Sequence, residues 1–161
     1  MSTIKPKLKK EQLDNTKNGI DVIYNGRLLT YEEQTTKLNT RPKPIVNFKK
    51  RNGKLYTIMM VDPDSRSPET QEFKYFLHWL AVNISTESAN GNAINKYSGP
   101  NPPIGLHRYY ICVLEQKNEI INMNEFPRPK FNVGKFINSN NLRLISCMKF
   151  FVEADKKQMS Y

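Results

Sequence analysis

The chain has 161 residues, of which 38% are hydrophobic and 25% are charged. This length suits one domain with a buried core, and this composition excludes both a disordered chain and a membrane-embedded one. The formal net charge is +10, and it is concentrated in residues 1–61, where 13 Lys and Arg residues stand against 5 Asp and Glu residues. Such a segment can attract nucleic acid, anionic lipid or an acidic protein surface, or it can be a solvated face. The lysines between Lys5 and Lys10 lack interleaved aromatic residues, so we predict no specific nucleic-acid binding, while peripheral contact with an anionic membrane stays open.

The first part of the chain predicts short strands separated by turn residues. Residues 1–18 are polar and are expected to form a basic, poorly ordered segment ahead of a single domain at 19–161. Strands are predicted at 20–24, at 45–48 and, with a longer apolar pattern, at 54–61.

The second part of the chain carries longer apolar runs and one helical pattern. Strands are predicted at 75–84, 106–115, 120–123 and 142–152, and a short helix at 131–141. The first two of these runs are apolar on both faces, which is typical of central strands. Residues 85–95 are polar and are predicted to form a loop. Because strands dominate and turn signals recur, the sequence predicts an antiparallel-rich, mostly β sandwich with one or two short peripheral helices.

The two cysteines, Cys112 and Cys147, each lie in an apolar run. A disulfide framework or a zinc site would need more ligands at closer spacing. We therefore expect two reduced thiols in the core and a cytoplasmic location, where thiols stay reduced. Residues 1–10 are basic without an apolar stretch behind them, so a secretory signal is not expected.

The candidate chemistry centres on two histidines and two carboxylates. His78 and His107 are the two histidines of the chain, and each lies near the start of an apolar strand. Each could be a satisfied core residue, but strand ends are also where loops gather to form sites. Asp62 and Asp64 leave a strand one residue apart, where they could form an Asx turn or could orient an imidazole and favour its charged form.

This set of residues could support acid–base chemistry, but the motifs of the common enzyme classes are absent from the sequence. It contains neither Gly-rich phosphate loop, no H-E-x-x-H and no G-x-S-x-G. Metal-ligand spacings are also absent. We therefore predict a protein that is not an enzyme and that has no cofactor and no bound metal.

At these residues the sequence resembles the phosphatidylethanolamine-binding protein family, which includes the Raf kinase inhibitor proteins and the plant flowering regulators. The matching motifs are Asp62-Pro63-Asp64, His78-Trp79-Leu80-Ala81-Val82-Asn83, Gly99-Pro100, Gly105-Leu106-His107-Arg108-Tyr109 and Glu115-Gln116. The resemblance implies a β-sandwich with a small pocket for phosphate-like anions and phospholipid head groups. The implied pocket residues are Asp62, Asp64, His78, Gly99, Pro100, His107 and Tyr109, with Phe73 and Phe76 as pocket aromatics. It also implies a cis peptide bond close to Pro63 or between Phe73 and Phe76.

Three functions follow from the residues and the resemblance. The first is a small monomeric protein that binds a phosphate-containing small molecule or a phospholipid head group and regulates signalling through phosphorylated or kinase partners. The second is an inhibitor of a kinase or a protease that acts through protein contacts, and the third is a hydrolase that uses the Asp and His residues. For the first, we expect His78 and His107 to converge on one anion, with Asp62 keeping imidazole charged.

Overall fold

The computed structural model describes residues 19–64 and 74–155. The predicted poorly ordered segment, 1–18, and the predicted pocket residue Phe73 lie outside the described residues. The described strands and helix are β1 (Ile20–Tyr24), β2 (Arg27–Leu28), β3 (Gln34–Thr35), β4 (Ile45–Phe48), β5 (Leu55–Asp62), β6 (Lys74–Ile84), β7 (Asn92–Asn95), β8 (Leu106–Gln116), β9 (Phe131–Asn132), α1 (Val133–Ser139) and β10 (Arg143–Glu153). The predicted long strands are therefore confirmed to within a residue or two.

The strands form two sheets within the described part of the chain. The small sheet has the order β2-β1-β4, and the large sheet has the order β3-β10-β8-β5-β6-β7, with β9 paired to β6. The pairs are antiparallel except for β3 and β10, which run parallel. This architecture confirms the predicted antiparallel-rich sandwich.

Hydrophobic residues cover both faces of the large sheet. On one face, Met60 and Ile111 pack in a cluster with Val22 of the small sheet. On the other face, Met59 packs in a second cluster with Phe136 of α1. Successive strand residues point to opposite faces, so a sheet covered on both sides needs apolar residues at nearly every position. This explains why the central strands lack alternation.

Two of the sequence predictions fail on polar segments. Residues 92–95, predicted as loop, form the edge strand β7, because backbone pairing with β6 does not require apolar side chains at a sheet edge. The predicted strand at 120–123 is wrong. Both backbone groups of Ile120 are instead bonded to the Asn83 side chain, which accepts from its N–H at 2.9 Å and donates to its carbonyl at 2.7 Å.

The predicted helix is shorter than expected. Its first two residues form β9, and the helix begins only after Asn132, whose side chain accepts a hydrogen bond from the Lys135 N–H at 3.0 Å. Asn is a favoured N-cap residue because its carbonyl oxygen satisfies an N–H that the helix leaves unpaired. It is the single helix among the described residues, and it is too short to cross a membrane.

The cysteines are not free thiols. Cys112 of β8 and Cys147 of β10 are opposite each other in the strand register, and the structure joins them by a disulfide. The expectation of two reduced thiols is therefore wrong, because adjacent strands bring two residues 35 positions apart into direct contact. The described peptide bonds include no cis bond, so that prediction also fails at Pro63 and between residues 74 and 76, while Phe73 itself lies outside the described residues.

Candidate functional site

A cavity with both polar and apolar lining residues opens at one end of the large sheet. Here β5 ends while its two neighbours, β6 and β8, begin, so three strand ends deliver side chains to one place. The cavity has a volume of about 680 Å³. It is lined by Asp62, Asp64, Phe76, His78, Ser98, Gly99, Asn101, Pro102, Pro103, Ile104, His107 and Tyr109. The structure thus brings together seven of the nine predicted site residues.

Asp62 and His107 form a hydrogen-bonded pair on the cavity wall. The Asp62 Oδ2 atom is 2.9 Å from His107 Nδ1, and both side chains are largely buried. Burial raises the pKa of Asp62, and the hydrogen bond from His107 opposes that rise. The predicted carboxylate partner therefore belongs to His107. A carboxylate can only accept, so at this distance it fixes His107 Nδ1 as a donor.

Asp64 is clamped by Arg108. The Asp64 Oδ2 atom accepts from the Arg108 backbone N–H at 2.8 Å and from Nε at 3.0 Å, while Oδ1 accepts from Nη2 at 2.6 Å. This bidentate geometry holds the turn after β5 against the start of β8. The Asp64 N–H donates to Asp62 Oδ1 at 2.7 Å, so the Asx turn predicted as an alternative is present beside the ion pairs.

His78 has a different environment from His107. Its Nδ1 is 2.7 Å from the Ser98 carbonyl oxygen, and its own carbonyl accepts from the Ser98 N–H at 2.9 Å. Burial lowers the pKa of His78 to about 4, against the effect of the Ser98 bond, and the charges of Arg128 and His107 lower it further. His78 is therefore neutral at pH 7, so the expectation of a charged imidazole at His78 is wrong.

Two buried polar atoms at the cavity have no hydrogen-bond partner among the described residues. These are His78 Nε2 and the Tyr109 hydroxyl oxygen. The two rings meet edge to face with centroids 5.3 Å apart. Burial raises the pKa of Tyr109 well above its usual range, and the charges of Asp62 and Asp64 raise it further. Tyr109 therefore keeps its proton. Buried polar groups are nearly always paired, so such a pair of orphans indicates a place for a ligand or a water.

The loop between β7 and β8 covers the cavity because it packs on the segment around Thr40. A Cβ on Gly99 would lie 2.8 Å from the Thr40 carbonyl oxygen, so this close approach needs glycine. The same carbonyl accepts from the Tyr97 hydroxyl at 2.6 Å. Pro100 is buried and is not among the lining residues. Gly99 therefore shapes the cavity wall.

Phe76 forms the aromatic part of the wall, with its ring centroid 4.8 Å from that of His78.

Sequence reasoning missed five lining residues and the contact of Arg108 with Asp64. The missed lining residues are Ser98, Asn101, Pro102, Pro103 and Ile104. The sequence feature that could have indicated these residues is the Pro-rich run itself. A segment that suits neither helix nor sheet and lies between two motifs can form a loop of the binding site. Among the described residues, no three His, Cys, Asp or Glu side chains are grouped closely enough to hold a metal ion.

The fold and cavity define a class: a small β-sandwich protein with a ligand-sized pocket at a sheet end. The chain belongs to the phosphatidylethanolamine-binding protein family, because residues 19–150 match the family model with that description.

Plant proteins are among its relatives in sequence. It is 36% identical over 113 residues to Protein MOTHER of FT and TFL1 homolog 2 of Oryza sativa subsp. japonica, and the match covers 67% of this chain but 65% of that protein's length. It is 33% identical over 129 residues to Protein TWIN SISTER of FT of Arabidopsis thaliana, which covers 75% of this chain and 74% of that protein.

Solved structures share the fold at lower identity. The phosphatidylethanolamine-binding protein from Plasmodium vivax superposes with a TM-score of 0.68 at 17% identity, covering 84% of this chain and 85% of that one. Carboxypeptidase Y inhibitor, solved in complex with the cognate proteinase, superposes with a TM-score of 0.66 at 24% identity, covering 86% and 85%.

Proposed function

We propose that this protein is a binding protein, not an enzyme, and that its pocket takes a phosphate-type anion as a free molecule, a phospholipid head group or a phosphorylated partner. The hydrogen-bonded pair of Asp62 and His107 carries the proposal. With Nδ1 held by the carboxylate at 2.9 Å, His107 in its protonated form presents its second N–H, on Nε2, to a ligand oxygen. A charged donor of this kind binds oxyanions more strongly than a neutral one.

The other charged groups near the pocket support binding over catalysis. Asp64 is occupied by Arg108, with contacts of 2.6 to 3.0 Å, and Asp62 is occupied by His107. A general base must be within reach of the proton that it removes. Carboxylates whose oxygens already accept hydrogen bonds from neighbouring side chains are poorly suited to that task, but they hold a preformed binding surface without rearrangement.

His107→Ala should weaken the binding of phosphoethanolamine by about 1.5–3 kcal/mol, the scale of a hydrogen bond to a charged group. Asp62→Asn should weaken it less, because the amide oxygen can still accept from His107 Nδ1 but carries no charge. Calorimetric titration at several pH values measures both effects. Arg143→Ala is the matched control, because Arg143 pairs with Glu115 at the opposite end of β8. If His107→Ala binds as tightly as the parent, the ligand does not use this pocket.

A second candidate function, inhibition of a protease or kinase, is supported by the cavity rim. Ile104 and Leu106, on either side of Gly105, are 62% and 48% exposed. Apolar side chains beside a pocket suit contact with a protein partner. The structural relative that inhibits carboxypeptidase Y shares this fold. We expect that Leu106→Gln, a neutral change outside the cavity lining, would weaken any inhibition of carboxypeptidase Y while leaving phosphoethanolamine affinity within about 2-fold. Absence of inhibition by the parent protein at micromolar concentration would exclude this protease as a target.

The expected cytoplasmic location, monomeric state and peripheral contact with an anionic membrane stay predictions. The cytoplasmic location was predicted from two free thiols, which persist in a reducing compartment. The disulfide removes that argument. Fractionation with alkylation before lysis tests it: recovery in the cytosolic fraction is expected, and recovery outside the cells would overturn it.

A further inference from the structure

We infer that the outer face of the small sheet, which points away from the large sheet, docks on anionic phospholipid bilayers. This face combines a row of exposed aliphatic side chains across its three strands with a basic turn, residues 49–54, at one end of β4. None of these residues lines the cavity, so the docking face is independent of the proposed anion site. Such docking would give a partner to the positive charge that is concentrated in residues 1–61.

The strand register sets the aliphatic row. Ile23 of β1 is opposite Leu28 of β2 on one side and Ile45 of β4 on the other. The neighbouring residues Val22 and Val46 pack inward, in the cluster shared with the large sheet. Since successive strand residues point to opposite faces, the row points outward. Leu28 is 55% exposed and Ile45 is 60% exposed, so both side chains are available to an apolar partner.

The basic turn follows β4 directly. Its cations are Lys49, Lys50, Arg51 and Lys54. None of them forms an ion pair with a carboxylate of the described residues. The Arg51 N–H donates to the Tyr56 hydroxyl at 2.9 Å, and the Lys54 N–H donates to the Arg51 carbonyl at 3.2 Å. The unpaired cations are therefore presented on a hydrogen-bonded turn.

The row and the turn are close enough for one membrane patch to contact both. Ile45 and Lys49 are four residues apart, which corresponds to about 13 Å in an extended chain. Asp21, opposite Asn47, lies between them on the outward face and offsets one positive charge of the turn. A net positive charge remains beside the aliphatic row.

This combination fits a lipid surface better than it fits a protein or a nucleic acid. Amphipathic membrane surfaces bury aliphatic side chains at the boundary between head groups and acyl chains, while Lys and Arg contact negative head groups. Protein interfaces are depleted in Lys. Surfaces that bind single-stranded nucleic acid stack bases on aromatic side chains, whereas this row is aliphatic. Charge complementarity and the type of exposed side chain therefore both favour an anionic bilayer.

The test is co-sedimentation of the full chain with vesicles of phosphatidylcholine, with and without phosphatidylserine. We expect the affinity for phosphatidylserine vesicles to be at least about 10-fold higher and to fall as salt is added. Lys49→Gln combined with Lys54→Gln should weaken binding by about 30-fold, the effect of two basic residues near an anionic surface. Lys130→Gln combined with Lys135→Gln removes the same charge beside Phe136 of α1, on the opposite side of the large sheet. This control should stay within about 3-fold of the parent.

The aliphatic row is tested by Ile45→Thr, which keeps a β-branched residue in the strand. We expect it to weaken vesicle binding by at least about 5-fold, because it removes apolar surface from the contact. Ile121 is 73% exposed in the loop after β8, and Ile121→Thr should bind vesicles as the parent does.

Failure of the parent to bind phosphatidylserine vesicles would overturn the inference, as would equal losses in the test variants and their controls. Displacement from vesicles by free phosphoethanolamine would mean that the cavity holds the lipid, and it would also overturn the docking face. Binding to duplex DNA in place of vesicles, with the same loss in the Lys49 and Lys54 variant, would reassign the face to nucleic acid. Calorimetric titration of that variant with phosphoethanolamine should match the parent, so failure of the docking face and failure of the anion site are distinguishable.

Discussion

Acidification from pH 7 to pH 4 is expected to lower the free energy of unfolding by about 3 kcal/mol through His78 alone. The folded-state pKa of His78 is about 4, because the ring is buried. The unfolded-state pKa is near ~6.5. Because the folded pKa is the lower one, the stabilisation is fully present above the unfolded pKa. It is lost as the pH falls from ~6.5 through about 4, where the unfolded chain binds the proton first.

The contribution of His78 is measured by comparing urea unfolding of the parent and of His78→Gln at pH 7, 5.5 and 4. Asp62 acts with the opposite sign, because burial raises its pKa and its protonation favours the folded state. That contribution is common to both proteins and cancels in the difference. The gap between parent and variant should therefore shrink by about 3 kcal/mol on acidification. A gap that stays constant with pH would mean that His78 is not buried as a neutral ring.

Reduction of the Cys112–Cys147 disulfide is expected to lower the free energy of unfolding by about 4 kcal/mol. The bond closes a loop of 35 residues in the unfolded chain. Loop-closure entropy for that length corresponds to about 4 kcal/mol at 25 °C, an upper value for this effect. Both sulfurs lie between β8 and β10 in the fully buried core, so the bond also joins two central strands.

Urea unfolding with and without reductant measures this loss, and the double variant Cys112→Ala with Cys147→Ala should not respond to reductant. Titration of thiols in unfolded, unreduced protein should find neither cysteine reactive. Two reactive thiols in freshly purified protein would contradict the disulfide and would restore the main argument for a reducing compartment.

The pocket residues were predictable where they belonged to motifs at strand ends. Asp62, His78 and His107 each lie at or near the end of an apolar run, and the resemblance assigned all three to one pocket. The roles of the two histidines were not predictable. Both follow similar patterns along the chain, yet Asp62 contacts His107 and the Ser98 carbonyl contacts His78. Residues 20 or 45 positions apart meet there, and no local pattern encodes such contacts.

The amino-acid sequence alone determined the β-rich class, the central strands and the chain positions that carry the site. The sequence pattern was sufficient because a strand that is apolar on both faces must be covered on both sides, and this places it at the centre of the fold. Tertiary structure alone decided the edge strand β7, the Cys112–Cys147 bond and the protonation of His78. Each of these depends on which strand lies beside which and on what covers a side chain. Pairing partners and desolvation are properties of the assembled sheet, so they exist only once distant segments have come together.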